Sequence, residues 1–149
     1  MTAPMILVDT SVWIDFFNGH ESVEALHLRS CIEESRPLTL PGIVLTEILL
    51  GVRTDVEAER VASVLSAFDP MPELDSTDYR KAAEIYRVCR GHGFTIRSTI
   101  DCLIAQLCLR HGYDLLAKDR GFDSIATIFP LQRSGSALMV HDRPHAQPI

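Results

Sequence analysis

The sequence predicts a three-layer α/β domain with a central, mainly parallel sheet flanked by helices. Three observations predict this class. The chain has 149 residues, the length of one domain. Short apolar runs alternate with helical patterns along most of it. Several of these runs end in polar or turn-forming residues, as strands do when a helix follows them.

The first part of the chain predicts two strands and two helices. Met5–Val8 is an apolar run that ends at Asp9, after which apolar residues recur at helical spacing. Glu21–Glu34 is amphipathic, and a proline separates it from a short strand over Leu38–Leu40. Asp9 is therefore expected at the carboxyl end of the first strand.

The middle of the chain is mainly helical. Ile43–Val52 predicts a helix that is apolar nearly all round, with Glu47 as its one charged residue. Further helices are expected over Glu57–Phe68 and Thr77–Arg90, with a short strand over Met71–Leu74 between them.

The last part of the chain repeats the strand and helix alternation. Ser98 or Thr99 is expected to cap a helix that runs through Arg110. The elements expected after it are a strand, a short helix and a final strand, over Leu115–Ala117, Phe122–Ala126 and Ile128–Leu131.

We expect the domain to span residues 1–131 and residues 132–149 to form a tail. The tail sequence, QRSGSALMVHDRPHAQPI, carries two prolines and scattered polar residues. An edge strand formed by its ALMV patch is the alternative.

Charge is unevenly distributed along the chain. The net charge of −6 argues against a polyanionic partner. However, residues 1–79 carry 14 acids and 4 bases, whereas residues 80–149 carry 6 acids and 10 bases. The basic half can dock phosphates even in an acidic protein; a surface with charges of both signs is the alternative.

Cysteine usage and hydropathy predict a soluble, cytoplasmic protein. The four cysteines form no C-x-x-C pair, which favours a reducing compartment. The N-terminus has neither the basic region nor the apolar region of a signal peptide. No run approaches the ~18 apolar residues of a membrane span.

Four acids stand in contexts where carboxylates are costly or exposed to ligands. Asp9 ends a strand, where open sheets bind ligands. Glu47 lies within IVLTEILLGV, where an unpaired buried charge is strongly unfavourable. Asp101 opens a helix, and Asp119 follows a strand. Capping or turn formation explains each of the others singly, but neither explains Glu47.

If the sheet brings these four acids together, the site needs a cation. Two carboxylates ~4 Å apart repel by about 4 kcal/mol at an effective dielectric constant near 20. Oxygen ligands without Cys or His favour Mg²⁺ or Mn²⁺ over Zn²⁺. Such a site can activate water and neutralise charge on a leaving oxygen, as phosphodiester hydrolysis requires. The sequence therefore predicts a metal-dependent nuclease.

Four motifs occur in an order that resembles the PIN-domain ribonucleases, specifically the VapC-type toxins of type II toxin–antitoxin pairs. These are MILVDTSVWIDFF, TEILLGV, RSTIDCLIAQLCLRHG and LLAKDRGFDSI, within residues 5–131. The resemblance implies a PIN-like fold in which Asp9, Glu47, Asp101 and Asp119 bind Mg²⁺ or Mn²⁺. It further implies endoribonuclease cleavage of structured RNA, either transfer RNA or ribosomal RNA, by an activated water.

The resemblance also implies partners. A VapB-type antitoxin is expected to occupy the pocket and offer a basic side chain to the carboxylates. Homodimers are usual in such toxins, and the apolar faces of Ile43–Val52 and Thr77–Arg90 are the surfaces expected to form one.

Further site residues are expected near the four acids. By the same resemblance, Thr10 or Ser11 supports the acids, and both are assigned to substrate binding. The candidates for phosphate contacts, each within four residues of an acid, are Arg97, Lys118 and Arg120.

Three details of the motifs are open or depart from the family pattern. Asp123 is an alternative or additional metal ligand beside Asp119. Many relatives have Asn before the third acid where this chain has Ile100, so its polar role is expected to pass to Ser98 or Thr99. Asp15 is expected to be a solvated surface charge.

Other functions fit the sequence less well. A phospho-receiver-like signalling domain needs an acidic pair after the first strand, but Thr10 and Ser11 follow Asp9. Ser11 also breaks the D-x-D motif of a haloacid-type phosphatase. A metal-independent ribonuclease would use two of the six histidines as acid and base. Of these, one is explained as a helix C-terminal residue and two lie in the expected tail. A non-catalytic RNA-binding domain gives no reason for Glu47.

Overall fold

A short parallel sheet organises the molecule. The computed structural model describes residues 3–135. The strands lie in the order β2-β1-β3-β4 and all pair in parallel. Their bounds are β1 Ile6–Val8, β2 Leu38–Thr39, β3 Asp114–Leu116 and β4 Gln132–Arg133. The predicted α/β class with a parallel sheet is confirmed.

Seven α-helices flank this sheet within the described residues. None of these helices is both long and apolar enough to cross a membrane. A 3₁₀ turn over Ser66–Phe68 extends the fourth helix. The helices are α1 Thr10–Asn18, α2 Val23–Glu33, α3 Gly42–Leu50, α4 Asp55–Leu65, α5 Ser76–Gly91, α6 Thr99–His111 and α7 Gly121–Ile128.

The core lies around β1 and α6. Every residue of β1 is fully buried, and so is nearly every residue of β3. Residues 101–108 of α6 are all buried, which explains why this helix is apolar on most sides. Cys102 and Cys108 belong to that stretch, and burial raises the pKa of the Cys102 thiol to about 11. These thiols are protonated packing groups.

A buried carboxylate joins α5 to α6. Asp78 and Asp75 form a reciprocal capping box at the start of α5. Gln106 Nε2 donates to Asp78 Oδ1 at 3.1 Å, and Arg110 pairs with Oδ2 at 2.8 Å. Burial by itself raises the pKa of Asp78, but these hydrogen bonds and the Arg110 charge hold it below its usual value. Asp78 is therefore an ionised structural group.

Two of the predicted strands were wrong. Met71–Leu74 forms no strand, and α7 continues through Ile128, where the last strand was expected to begin. The fourth strand is Gln132–Arg133, so two residues assigned to the tail pair with β3. This strand has two residues and no buried apolar side chain, so no apolar run marks it.

The chain after β4 still contacts the domain. Ser134 N–H donates to the carbonyl of Leu115, and the Ser134 hydroxyl is hydrogen-bonded to His27. The rest of the expected tail, with its ALMV patch, lies outside the described residues.

Candidate active site

Four carboxylates from four parts of the chain line one open pocket of about 450 Å³. Asp9 follows β1, and Asp119 follows β3, the strand paired with β1. The carboxyl ends of adjacent parallel strands meet at one edge of a sheet, which places these two acids together. Glu47 reaches the pocket from α3, and Asp101 from the first turn of α6.

Asp9 is buried and stands at the junction of β1 and α1. Its N–H donates to the Leu116 carbonyl of β3 at 2.9 Å. Although Asp9 is the N-cap residue of α1, its side chain makes no capping hydrogen bond, so capping does not account for the carboxylate. Burial, with the nearby charges of Glu47 and Asp119, raises the pKa of Asp9 to about 6.

The position of Glu47 is explained by a contact between α3 and α1. Val44 and Ile48 of α3 pack into the core, while Glu47 is half-buried and points into the pocket. Thr10 Oγ1 donates to Glu47 Oε1 at 2.6 Å. The charge in the apolar segment is therefore a hydrogen-bonded pocket residue.

Asp101 is the acid whose ionisation is most strongly opposed. Burial and the charges of Asp9, Asp119 and Glu47 raise its pKa to about 8, with a hydrogen bond to Asp119 adding to the effect. Its backbone N–H donates to the Ser98 hydroxyl, which caps α6 as expected. Ser98 also lines the pocket, consistent with the polar role expected of it.

Asp119 is exposed and is oriented by the start of α7. Gly121 N–H donates to Asp119 Oδ1 at 2.8 Å. A Cβ atom on Gly121 would lie 3.4 Å from that oxygen and 3.7 Å from Asp101 Oδ2. Gly121 therefore lies close to the acids. This residue was not identified from the sequence. The glycine that directly follows the D-R pair could have indicated it.

The donor chemistry of this pocket fits a hard divalent cation. Its candidate ligands are carboxylate oxygens. Burial and mutual repulsion raise the pKa of Asp9 and of Asp101, and a cation relieves this repulsion. Among residues 3–135, no three acidic, histidine or cysteine side chains stand in the arrangement of a ready-made metal site. The acids converge on one pocket without forming a closed set of ligands.

Lys118 and Asp15 form an ion pair at the rim of the pocket. Lys118 lines the pocket, and its Nζ lies 2.6 Å from Asp15 Oδ2. The same carboxylate accepts a hydrogen bond from the Ser22 hydroxyl at 2.8 Å. Burial raises the pKa of Asp15, but these two partners lower it more. The expectation of a solvated surface charge was wrong, because Lys118, which is distant in the sequence, and Ser22 at the start of α2 both contact Asp15.

Three other expected site residues lie outside the pocket. Arg97 and Arg120 are exposed and do not line it. Asp123 is 59% exposed and pairs with Arg133, so it does not join Asp119 in the pocket. Thr10 and Ser11 do line it, and Ser11 Oγ lies 3.5 Å from Asp9 Oδ2.

Comparisons with known proteins agree with the fold. The model of the PIN domain family matches residues 6–128, a range that contains all four pocket acids. This chain belongs to the PIN-domain family.

Solved structures share the fold at low sequence identity. FitAcB from Neisseria gonorrhoeae superposes with a TM-score of 0.65 at 22% identity, covering 82% of this chain and 94% of that one. A toxin–antitoxin complex from Klebsiella pneumoniae gives 0.62 at 18% identity, covering 85% and 98%. VapBC2 from Rickettsia felis, bound to a promoter DNA fragment, gives 0.61 at 19% identity, covering 87% and 97%.

Proteins of similar sequence identify a smaller group of relatives within the family. The chain is 37% identical over 129 residues to VapC ribonuclease Mb1587 of Mycobacterium bovis, covering 86% of this chain and 96% of the relative. Ribonuclease VapC11 of Mycobacterium tuberculosis gives the same values. The resemblance to VapC ribonucleases stated from the motifs is confirmed.

Proposed function

We propose that this chain is a Mg²⁺- or Mn²⁺-dependent endoribonuclease that acts as the toxin of a VapBC-type toxin–antitoxin pair. The observation that carries the proposal is the pocket lined by Asp9, Glu47, Asp101 and Asp119. Burial and mutual charge raise the pKa of two of these acids, as expected of carboxylates placed to receive a cation. Relatives named as VapC ribonucleases support the reaction class.

The proposed roles follow from the contacts of each residue. The four acids would hold the ion, which when bound supplies a nucleophilic water and neutralises charge on phosphate oxygens. Thr10 fixes the orientation of Glu47, and the Gly121 N–H fixes that of Asp119.

Cationic side chains are proposed to hold the RNA backbone. Lys118 presents an ammonium group at the rim of the pocket, within reach of a phosphate bound there. Thr10 and Ser11 offer hydroxyl groups to the same pocket from the start of α1. Arg97 and Arg120 are exposed and are assigned to phosphates outside the pocket.

Metal dependence is tested with purified protein and end-labelled RNA. Cleavage is expected to stop in EDTA and to return with excess Mg²⁺ or Mn²⁺. Asp9→Asn and Asp101→Asn are each expected to abolish cleavage while the circular dichroism spectrum stays unchanged. Equal cleavage with and without EDTA would overturn the proposal in favour of a histidine mechanism.

Transfer RNA is the proposed substrate and ribosomal RNA the second candidate. Both are structured RNAs whose backbone shape can present one phosphodiester to the pocket. Sequencing the new 5′ ends formed when the protein is expressed in a bacterium identifies the substrate. Cuts confined to messenger RNA would exclude both candidates.

The proposed partner is a VapB-type antitoxin in the cytoplasm. One of the structural neighbours is titled a toxin–antitoxin complex and another VapBC2, which supports such a partner. A basic side chain of the antitoxin placed among the four carboxylates would relieve their repulsion as a cation does. Cleavage by the wild-type protein is expected to stop on addition of a cognate VapB-type antitoxin. The four buried, unpaired cysteines fit a reducing compartment.

A homodimer is also part of the proposal, on a surface that keeps only the first of the two expected segments, Ile43–Val52. In the second segment, which forms α5, Ala82, Ile85 and Cys89 are buried inside the fold and are not available for a dimer. Leu50 at the end of α3 and Val56 at the start of α4 are each 80% exposed. We assign the dimer contact to these two residues. Sedimentation is expected to show dimers of the wild type and monomers of Leu50→Ser/Val56→Ser.

A further inference from the structure

The outer face of α5 carries a cluster of arginine side chains. Arg80, Arg87 and Arg90 line a groove of about 620 Å³, with Glu84 as its one acidic lining residue. Within residues 3–135, none of these three arginines forms an ion pair with a carboxylate. Guanidinium groups that are free of carboxylate partners bind phosphate oxygens well.

A second groove, of about 320 Å³, lies beside the first, between α5 and α6. Arg87 lines both grooves, and the second also contains Tyr79 and Tyr86. The Arg90 guanidinium lies 5.6 Å from the centre of the Tyr86 ring, over its face. Tyr79 is 54% exposed, so its ring is open to a ligand. Exposed aromatic rings next to basic groups are typical of sites that bind unpaired bases.

The two grooves connect to the acidic pocket through the first turn of α6. Ser98 and Asp101 of this turn line the acidic pocket, while Thr99 and Cys102 line the tyrosine groove. A strand with one phosphate in the acidic pocket can therefore cross this turn onto α5. Tyr79 to Arg90 extends about 16 Å along the helix, the length of a few nucleotides.

We propose that Arg80, Arg87, Arg90 and Tyr79 form a binding site for single-stranded RNA that flanks the cleaved phosphodiester. The arginines bind successive phosphates, and Tyr79 stacks on a base. This inference rests on the proposed ribonuclease function and extends it by naming the surface that holds the strand beyond the pocket. Charge complementarity favours RNA over a second copy of this acidic chain.

The experiment measures binding of a fluorescein-labelled uridine dodecamer by fluorescence anisotropy, with the full chain in EDTA so that no cleavage intervenes. The test variant is Arg80→Gln/Arg87→Gln. Its matched control is Arg29→Gln/Arg53→Gln, which removes the same charge from exposed arginines of α2 and of the α3–α4 connection. Thermal melting checks that both variants fold.

The test variant is expected to weaken binding about tenfold and to lower the slope of log Kd against log salt by about 1.4, that is about 0.7 for each lost phosphate contact. The control is expected to change the affinity and the salt slope only by as much as the altered net charge of the protein requires. Tyr79→Ala is expected to weaken binding about fivefold or more with an unchanged salt slope, because stacking is not ionic. Glu84→Gln is expected to tighten binding.

Two results would overturn the inference. One is equal weakening in the test and control variants, which would reduce the effect to net charge. The other is unchanged RNA binding in the test variant; a loss of self-association in the same variant would assign this face to a second copy. Failure of the proposed function is distinguishable, since it would show as RNA binding through α5 without cleavage in Mg²⁺ or Mn²⁺.

Discussion

Asp101 is the residue whose ionisation is most strongly opposed by burial and by the neighbouring negative charges. It is buried, it is surrounded by three other acids, and its pKa is raised to about 8. The same side chain would be a stabilising group at a helix N-terminus if it stood alone. In this pocket, the Asp101 carboxylate therefore destabilises the metal-free fold. This destabilisation indicates a functional site, since no local structural role requires four carboxylates here.

Replacing this carboxylate tests that cost directly. Asp101→Asn removes one negative charge from the pocket, so the metal-free protein is expected to melt at a higher temperature than the wild type at pH 8. Cleavage is expected to be abolished, a larger loss than the about 10–100-fold that groups supporting metal ligands contribute. Calorimetry in EDTA and initial cleavage rates are the measurements. A lower melting temperature would show that Asp101 makes a net favourable contact in the fold.

Thr10 is the residue that fixes Glu47, and its hydroxyl can be removed without changing its shape much. Thr10→Val is expected to reduce the cleavage rate about 10–100-fold, because Glu47 loses its hydrogen bond. Thr10→Ser restores the hydroxyl and is expected to recover most of the rate. Ser11→Ala is the control, since the Ser11 hydroxyl lies 3.5 Å from Asp9 and makes a weaker contact. Equal losses in the Thr10→Val and Ser11→Ala variants would contradict this role.

Among the elements, α6 connects the core to the pocket. Its first turn supplies Asp101, and its buried middle anchors it between the sheet and α5. Asp78 of α5 holds α6 through Gln106 and Arg110. The stability of this helix pair therefore determines how firmly Asp101 is held.

Asp78→Ala is expected to destabilise the protein by about 3 kcal/mol, because it leaves the Gln106 amide buried without its partner and breaks the pair with Arg110. Asp75→Ala, the control, removes a helix cap and is expected to cost about 1 kcal/mol. Urea unfolding followed by circular dichroism measures both. A cost for Asp78→Ala no larger than that of the control would mean that the capping box, and not the link to α6, is its main contribution.

Elements with a strong apolar pattern could be predicted from the sequence, and elements held by distant partners could not. Residues 6–8 and the apolar length of α6 were placed correctly because burial imposes an apolar pattern on them. β4 was missed because two residues hydrogen-bonded to β3 need no such pattern. Asp15 was misjudged because its partner Lys118 is 103 residues away in the chain.

In the molecule as a whole, the parallel pairing of the strands brings separate sequence motifs together in one site. With β1 beside β3, the residues that follow the two strands converge, although Asp9 and Asp119 lie far apart in the sequence. The acids could be selected from the sequence because one is a charge in an apolar segment, two follow strands, and all four fall within the motifs that resemble the PIN-domain family. The basic surface was only partly predictable: the charge excess after residue 79 indicated it, but the placement of Arg80, Arg87 and Arg90 on one groove required the structure.

The burial of acids and their convergence in one pocket also make the stability of the whole protein depend on pH. The pKa values of Asp9 and Asp101 are raised to about 6 and about 8, above the value of 3.8 usual for aspartate. The folded state therefore binds protons more tightly than the unfolded state at these groups. Their contribution to stability is fully present below about pH 4 and is lost as the pH rises through 6 and then 8.

In EDTA, the melting temperature of the wild type is thus expected to fall between pH 5 and pH 9 relative to that of Asp9→Asn/Asp101→Asn, which lacks both titrating groups. Excess Mg²⁺ is expected to reduce the difference at pH 9, since a bound cation replaces the protons as the neutralising charge. The measurement is a set of melting curves at constant ionic strength, with and without Mg²⁺. Parallel curves for the two proteins across this pH range would show that the four acids do not interact strongly enough to define a cation site.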